Sequence, residues 1–375
     1  MNRIPEIHSI VCRESDADRP SSARVRSFFP AADFLVFETD AQRNALLDGL
    51  RSQGVPSKKV ILLDAFKGRL IQKCPATKGM ICCNYRLINS GFNCVYSCAY
   101  CYLQSYLNSY GILLFTNEEE ILAGCREFID ASDPSFMTRI GTGEFTDSLM
   151  IDEVTGLSRT LVDAFAPHRH LFLELKTKSA NIDHLLGIPD KGNAVASWSV
   201  NTPRITSRCE EGAATLDERL DAGARAAKAG FWTSFHFDPV VLYDGWEREY
   251  EEVVERIFSR VPAESILWIS LGGFRYNPPF KEIMRANFPH ETLSDGEFVP
   301  CPDGKMRYPK PLRRRIYTFM KEAIEQRSSG PFVYMCMESA DMWESVFGRS
   351  YSASDDLERD FSLFLKNKLS SRGAL

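Results

Sequence analysis

The chain has 375 residues, 44% of them hydrophobic and 25% charged, and a formal net charge of −5. That supplies a full-sized core for one large domain or two smaller ones. The acidic balance excludes strong non-specific attraction to nucleic acid, though a local basic face can still bind phosphates.

Residues 1–84 mix short helical and strand-like pieces, including the apolar run Val60-Ile61-Leu62-Leu63, and read as an N-terminal extension packed on the core. From Tyr85 the pattern changes. Short apolar runs at 86–91, 137–142, 171–176, 194–200, 232–237 and 266–271 alternate with amphipathic stretches at 118–129, 153–164, 216–229 and 247–260. Such alternation predicts strand-helix units around a parallel sheet, an α/β fold occupying 85–275. Residues 276–375 read as a C-terminal extension: a Pro-rich segment, a hairpin around Pro300-Cys301-Pro302-Asp303-Gly304, a basic helix over 311–326, an apolar strand over 331–335 and a polar helix from Ser354. No apolar run approaches the roughly 20 residues of a membrane helix. The N-terminus lacks the apolar core of a secretory signal, so the expectation is a cytoplasmic protein with no membrane partner.

Eleven cysteines, an odd number, are unsuited to a disulfide framework in a chain of this length. Cys94, Cys98 and Cys101 follow the first predicted barrel strand at spacings of four and three, so one tight loop can aim three thiolates at one place. Three cysteine ligands suit a 4Fe-4S cluster with one iron left open for a chelating co-substrate. In that chemistry S-adenosylmethionine (SAM) fills the open position and yields a 5'-deoxyadenosyl radical. The competing reading is a structural zinc site completed by Cys82, Cys83 or a histidine, in a zinc-stabilised nucleic-acid-binding protein. Zinc knuckles usually come in pairs, and no second Cys-x-x-Cys occurs.

The loop and its surroundings resemble the spore photoproduct lyase family of radical SAM enzymes over roughly residues 74–310. The resemblance rests on Cys74-Pro75-Ala76-Thr77, Cys82-Cys83-Asn84-Tyr85, Asn93-Cys94, Cys101-Tyr102-Leu103-Gln104, Thr177-Lys178, Ser199-Val200-Asn201, Asp238-Pro239 and Gly245-Trp246. It implies a partial (β/α)6 TIM-type barrel of the radical SAM type, a 4Fe-4S cluster on Cys94, Cys98 and Cys101, and SAM contacts from Lys178, Ser199, Asn201 and Asp238. It further implies hydrogen relay by Tyr100 and Tyr102, a reducing partner such as flavodoxin or ferredoxin, and a DNA lesion as substrate.

One departure stands out. The family carries a hydrogen-donor cysteine at the end of its second strand, where this chain has Glu144 in Gly141-Thr142-Gly143-Glu144. That run resembles the Gly-Gly-Glu motif of other radical SAM enzymes, which implies that Glu144 receives the SAM amino group. Cys336 and Cys301 are the substitute thiols the sequence offers. The alternative reading keeps the cofactors and changes the target to a small molecule, a peptide or RNA. The family's Arg-Tyr pair in the lesion-contacting hairpin is replaced by Pro300-Cys301, while Lys305, Arg307, Arg313 and Arg314 form a basic cluster read as a phosphate-binding face.

Overall fold

A computed structural model describes residues 4–75, 79–106 and 110–370; Ala76 and Thr77 lie outside them. All six predicted barrel strands form. They are Arg86–Ile88, Thr138–Thr142, Leu171–Thr177, Val195–Ser199, Trp232–Val240 and Ile266–Gly273, in that order across one sheet. Each pairs in parallel with the next. Their near-continuous apolar character follows from burial on both faces, with helices such as Leu216–Lys228 and Trp246–Arg260 covering the outside. The first of these two helices starts on a capping box between Thr215 and Glu218. The helix expected at 153–164 is two pieces, Asp152–Thr155 and Leu157–Phe165, because Gly156 between them takes a left-handed conformation at φ +68°.

Both flanking segments contribute to this sheet, so strand pairing crosses the expected boundaries at 84/85 and 275/276. Ile71–Lys73 runs antiparallel beside Arg86–Ile88 at one edge, and Phe332–Met335 runs parallel beside Ile266–Gly273 at the other. An isolated antiparallel bridge between Ile81 and Glu338 spans the gap between the two edges. The N-terminal segment also shares a second, five-stranded sheet with two strands from residues 91–115, which the sequence pattern did not reveal. Its order is Asp33–Phe37, Ser9–Arg13, Val60–Asp64, Ile112–Phe115, Gly91–Phe92. The last two strands flank the cysteine loop. The chain therefore leaves the barrel sheet after Ile88, joins the N-terminal sheet, makes the loop, and rejoins that sheet before returning. The predicted hairpin is present, with Val299–Pro300 and Arg275–Tyr276 on either side of Met306–Arg307. The basic helix runs over Lys310–Arg327. Among the described residues no helix is long and apolar enough to cross a membrane.

Candidate active site

The cysteine loop is fixed at both ends. Asn93, at φ +70°, receives a hydrogen bond from Lys58 Nζ (2.6 Å) and donates to the Gly111 carbonyl (2.8 Å). The same ammonium caps the Cys94 carbonyl at 2.6 Å. Ser97–Cys98 pairs with Glu210–Glu211, and the Ala99 N–H donates to the Cys209 carbonyl at 2.8 Å. Gln104 Nε2 closes the turn onto the Cys98 carbonyl at 2.9 Å. Burial pushes the Cys98 thiol up to about 12, with Lys178 pulling the other way.

Behind the loop lies a buried ion pair. Arg219, fully buried, binds Glu210, and its other guanidinium nitrogen donates to the Ser199 carbonyl at 2.9 Å. The Tyr100 hydroxyl donates to the same carboxylate. Burial pushes Glu210 up, but Arg219, Lys178 and Tyr100 more than offset it and hold the carboxylate below its ordinary range. Lys178 Nζ stands 5.6 Å from the centre of the Tyr100 ring, close enough to Cys98 and Glu210 for both to raise its pKa against the effect of burial. Asp147 sets the start of Lys178, accepting from its N–H at 2.7 Å and from the Thr177 hydroxyl at 2.6 Å.

The carboxyl ends of the strands form the mouth of the barrel, where barrel enzymes keep their functional groups. Glu144 carries an ion pair to Lys176 at 3.5 Å, and the Tyr102 hydroxyl donates to the Glu144 carbonyl at 2.9 Å and to its carboxylate at 3.3 Å. Across the mouth, Arg275 holds Asp238 through two hydrogen bonds of 2.8 and 3.1 Å and also reaches Cys336 Sγ at 3.8 Å. Burial pushes Asp238 up, while Arg275, Lys176 and His236 pull it below the carboxylate range. The floor is Glu174, which accepts from Ser197 (2.7 Å), Ser234 (3.1 Å) and Trp268 (3.1 Å) and meets His236 Nε2 at 2.7 Å. A buried carboxylate is tolerated only with such a full set of partners.

The glycines of the 141–144 run are required sterically. Gly143 has φ +91°, and a Cβ there would lie 2.7 Å from Ser148 Oγ and 2.8 Å from the Lys176 carbonyl. Gly143→Ala should therefore destabilise the fold by about 1–3 kcal/mol through the left-handed backbone alone. Urea denaturation beside Gly49→Ala, where a Cβ meets nothing within 4 Å, measures the difference; equal losses would remove the steric argument.

Two expectations are corrected. Asn201 is not a free ligand. Its side chain donates to the Pro239 carbonyl (2.9 Å) and accepts from the Thr202 N–H (3.0 Å) and the Tyr250 hydroxyl (2.6 Å), all in the interior. The basic cluster is not a continuous surface either. Arg307 is 1% exposed and clamped by Asp303, while Arg313 is 6% exposed and paired with Glu338 at 2.9 Å. Lys305 turns toward Met337 at 3.6 Å, and burial lowers its pKa. Of the four, Arg314 is exposed on the helix surface. Sequence reading missed Lys176, Glu174, His236, Arg275 and the Arg219–Glu210 pair. Glu174 and Lys176 had a signal: charges two residues apart on an otherwise apolar strand face one side together.

The loop's donors are three thiols, without imidazole or carboxylate. Among the described residues no three Cys, His, Asp or Glu side chains converge on a point one metal ion could take. Three thiols on one loop are the donor set of an iron-sulfur cluster with one iron left open. Half-barrel and cysteine loop together define a protein with the radical SAM fold. A family model described as "Spore photoproduct lyase" matches residues 83–325, and the chain belongs to the spore photoproduct lyase family. It is 29% identical over 184 residues to spore photoproduct lyase of Bacillus subtilis (strain 168), covering 48% of this chain and 54% of that protein. Against the lyase of Geobacillus sp. (strain Y412MC61) it is 27% identical over 244 residues, covering 64% and 65%. The matches thus span between about half and two thirds of these relatives' length. A solved spore photoproduct lyase complexed with dinucleoside spore photoproduct superposes with a TM-score of 0.75 at 21% identity, covering 89% of this chain and 100% of that one. A solved spore photoproduct lyase mutant with bound AdoMet and dinucleoside spore photoproduct gives a TM-score of 0.74 at 20% identity, covering 89% of this chain and 99% of that one.

Proposed function

We propose that this protein is a radical SAM enzyme of the cytoplasm that binds a 4Fe-4S cluster on Cys94, Cys98 and Cys101 and repairs a DNA photolesion. The observation supporting this most strongly is the all-thiol loop beside a barrel mouth lined by Glu144, Lys176, Lys178 and Asp238. Cys94, Cys98 and Cys101 would hold the cluster, and SAM bound there would supply radical chemistry with electrons from a partner such as flavodoxin or ferredoxin. Lys178 neutralises the SAM carboxylate, Glu144 accepts its ammonium group, and Ser199 and Asp238 bound the same space. Tyr102, bonded to Glu144, and Tyr100, held by Glu210, are placed to move hydrogen at their hydroxyl oxygens. Arg314, exposed on the helix, is the remaining candidate for phosphate contact.

The second reading, a non-DNA substrate such as a small molecule, peptide or RNA, draws on two observations. The mouth carries the Glu144–Lys176 pair where the family has a thiol, and Arg307 and Arg313 are spent internally. Anaerobically reconstituted protein with dithionite, SAM and dinucleoside spore photoproduct separates the two. Restored thymines support lesion repair; 5'-deoxyadenosine without thymine release supports the second reading. Lys178→Ala should weaken SAM binding about 10- to 100-fold, the value of a charge-assisted contact, by equilibrium dialysis.

A further inference from the structure

We infer that Lys176, Asp238 and Arg275 form a donor, acceptor, donor row in the barrel mouth that reads the imide edge of a thymine ring in the substrate. This rests on the lesion-repair reading above and names the groups that recognise the base.

The row is built by strand order. Glu174 and His236 meet on the barrel floor at 2.7 Å. Lys176 and Asp238 each stand two residues further along the same strands, Leu171–Thr177 and Trp232–Val240, so alternation turns both to the interior one step nearer the mouth. Arg275 follows the next strand in the sheet, Ile266–Gly273, which places Asp238 between the two cations. Gly272 leaves the room for this pairing: a Cβ there would lie 2.3 Å from Asp238 Oδ1 and 2.9 Å from Arg275 Nη1.

Each member has hydrogen-bonding capacity to spare. Lys176 carries three N–H donors, and among the described residues its ammonium has one ion pair, to Glu144 at 3.5 Å, and no hydrogen bond. Burial lowers its pKa, but Glu144, Glu174 and Asp238 more than offset this and keep it charged. With the SAM ammonium group on Glu144, Lys176 is released to substrate. The Asp238 side chain is 28% exposed, and each of its oxygens accepts one hydrogen bond from Arg275, at 2.8 and 3.1 Å, which leaves each a second lone pair. Arg275 spends its other Nη1 hydrogen on the Gly273 carbonyl at 3.2 Å, whereas its other Nη2 hydrogen reaches Cys336 Sγ at 3.8 Å, a weak acceptor.

Cation, carboxylate and cation complement an imide, which offers carbonyl, N–H and carbonyl. Thymine and its 5,6-reduced form both carry that edge at O2, N3 and O4. A cytosine ring would turn a bare N3 lone pair toward the Asp238 carboxylate, and a phosphate would meet the same carboxylate charge against charge. The row therefore selects a thymine-derived ring by repelling both competitors as well as by binding its own target.

The test titrates reconstituted full-length protein, with SAM and without reductant, by equilibrium dialysis against dinucleoside spore photoproduct and its derivative methylated at both N3 positions. Methylation should weaken binding to the wild type about tenfold or more, the value of a hydrogen bond to a charged group. Lys176→Met, which keeps the stem and loses the donors, should weaken the unmethylated ligand by a similar factor, and Lys176→Arg by about threefold or less. The double variant Asp238→Leu with Arg275→Met strands no charge and should bind the two ligands equally. Equal binding of both ligands by the wild type, wild-type affinity in Lys176→Met, or an undiminished preference in the double variant overturns the assignment, even where reductant restores thymines. A wild type that cleaves SAM but restores no thymine defeats the lesion-repair reading, and the assignment with it.

Discussion

Cys98→Ala should yield a folded, colourless protein that holds less than one iron per chain, where the anaerobically reconstituted wild type holds about four. Cys98 is the most buried of the three loop cysteines and lies in the short ladder between Ser97–Cys98 and Glu210–Glu211. Alanine preserves that ladder, because its hydrogen bonds are made by the backbone. What is lost is one of three ligands. Formation of 5'-deoxyadenosine from SAM and dithionite should fall about a thousandfold or more, since a cluster that does not assemble cannot present its open iron. Iron analysis, visible absorption and circular dichroism together decide the matter. A variant that keeps its iron would remove Cys98 from the ligand set, and a colourless wild type carrying one zinc would revive the structural-zinc reading.

The second large effect concerns the pair behind the loop. Arg219→Ala should destabilise the protein by about 3–5 kcal/mol, because it strands Glu210 in the interior without its countercharge. The double variant Arg219→Met with Glu210→Met should recover much of this loss, since apolar groups of similar volume leave no charge to solvate. The pair also carries a pH dependence of definite sign. The folded-state pKa of Glu210 is depressed, so its stabilisation is fully present above the unfolded carboxyl value of about 4.3. It is lost as pH falls through the lower folded value. Urea midpoints measured from pH 7 down to pH 3 should draw closer together between wild type and Glu210→Gln once the pH falls below the unfolded carboxyl value. A constant difference across that range would show that the carboxylate charge is not what the pair contributes.

The barrel was legible because its strands are short apolar runs separated by amphipathic helices, a pattern that depends only on neighbours in sequence. The cysteine loop was legible for the same reason: its spacing is local. The N-terminal sheet was not, because Ile112–Phe115 pairs with Val60–Asp64 across some fifty residues, and nothing in either run marks the other as its partner. The misread arginines share that cause. Arg307 and Arg313 look like members of a basic surface until Asp303 and Glu338 are seen to meet them, and a charge run does not report distant counterions. Asn201 was chosen for standing at a strand end, yet its carboxamide holds a turn together. Glu174 illustrates the reverse case, a single acid in an apolar strand that organises the barrel floor.

The path of the chain between the two sheets bears on how this protein can be divided. Gly91–Phe92 and Ile112–Phe115 belong to the N-terminal sheet, and Lys58 from that same segment caps the Cys94 carbonyl. A fragment beginning at Tyr85 would keep all three loop cysteines and the six predicted barrel strands. It would also leave Ile112–Phe115 without its parallel neighbour and the loop without its lysine. The smallest portable unit of this chemistry is accordingly larger than the barrel, and a graft that moved the cysteine motif alone would leave behind the strands from which it hangs.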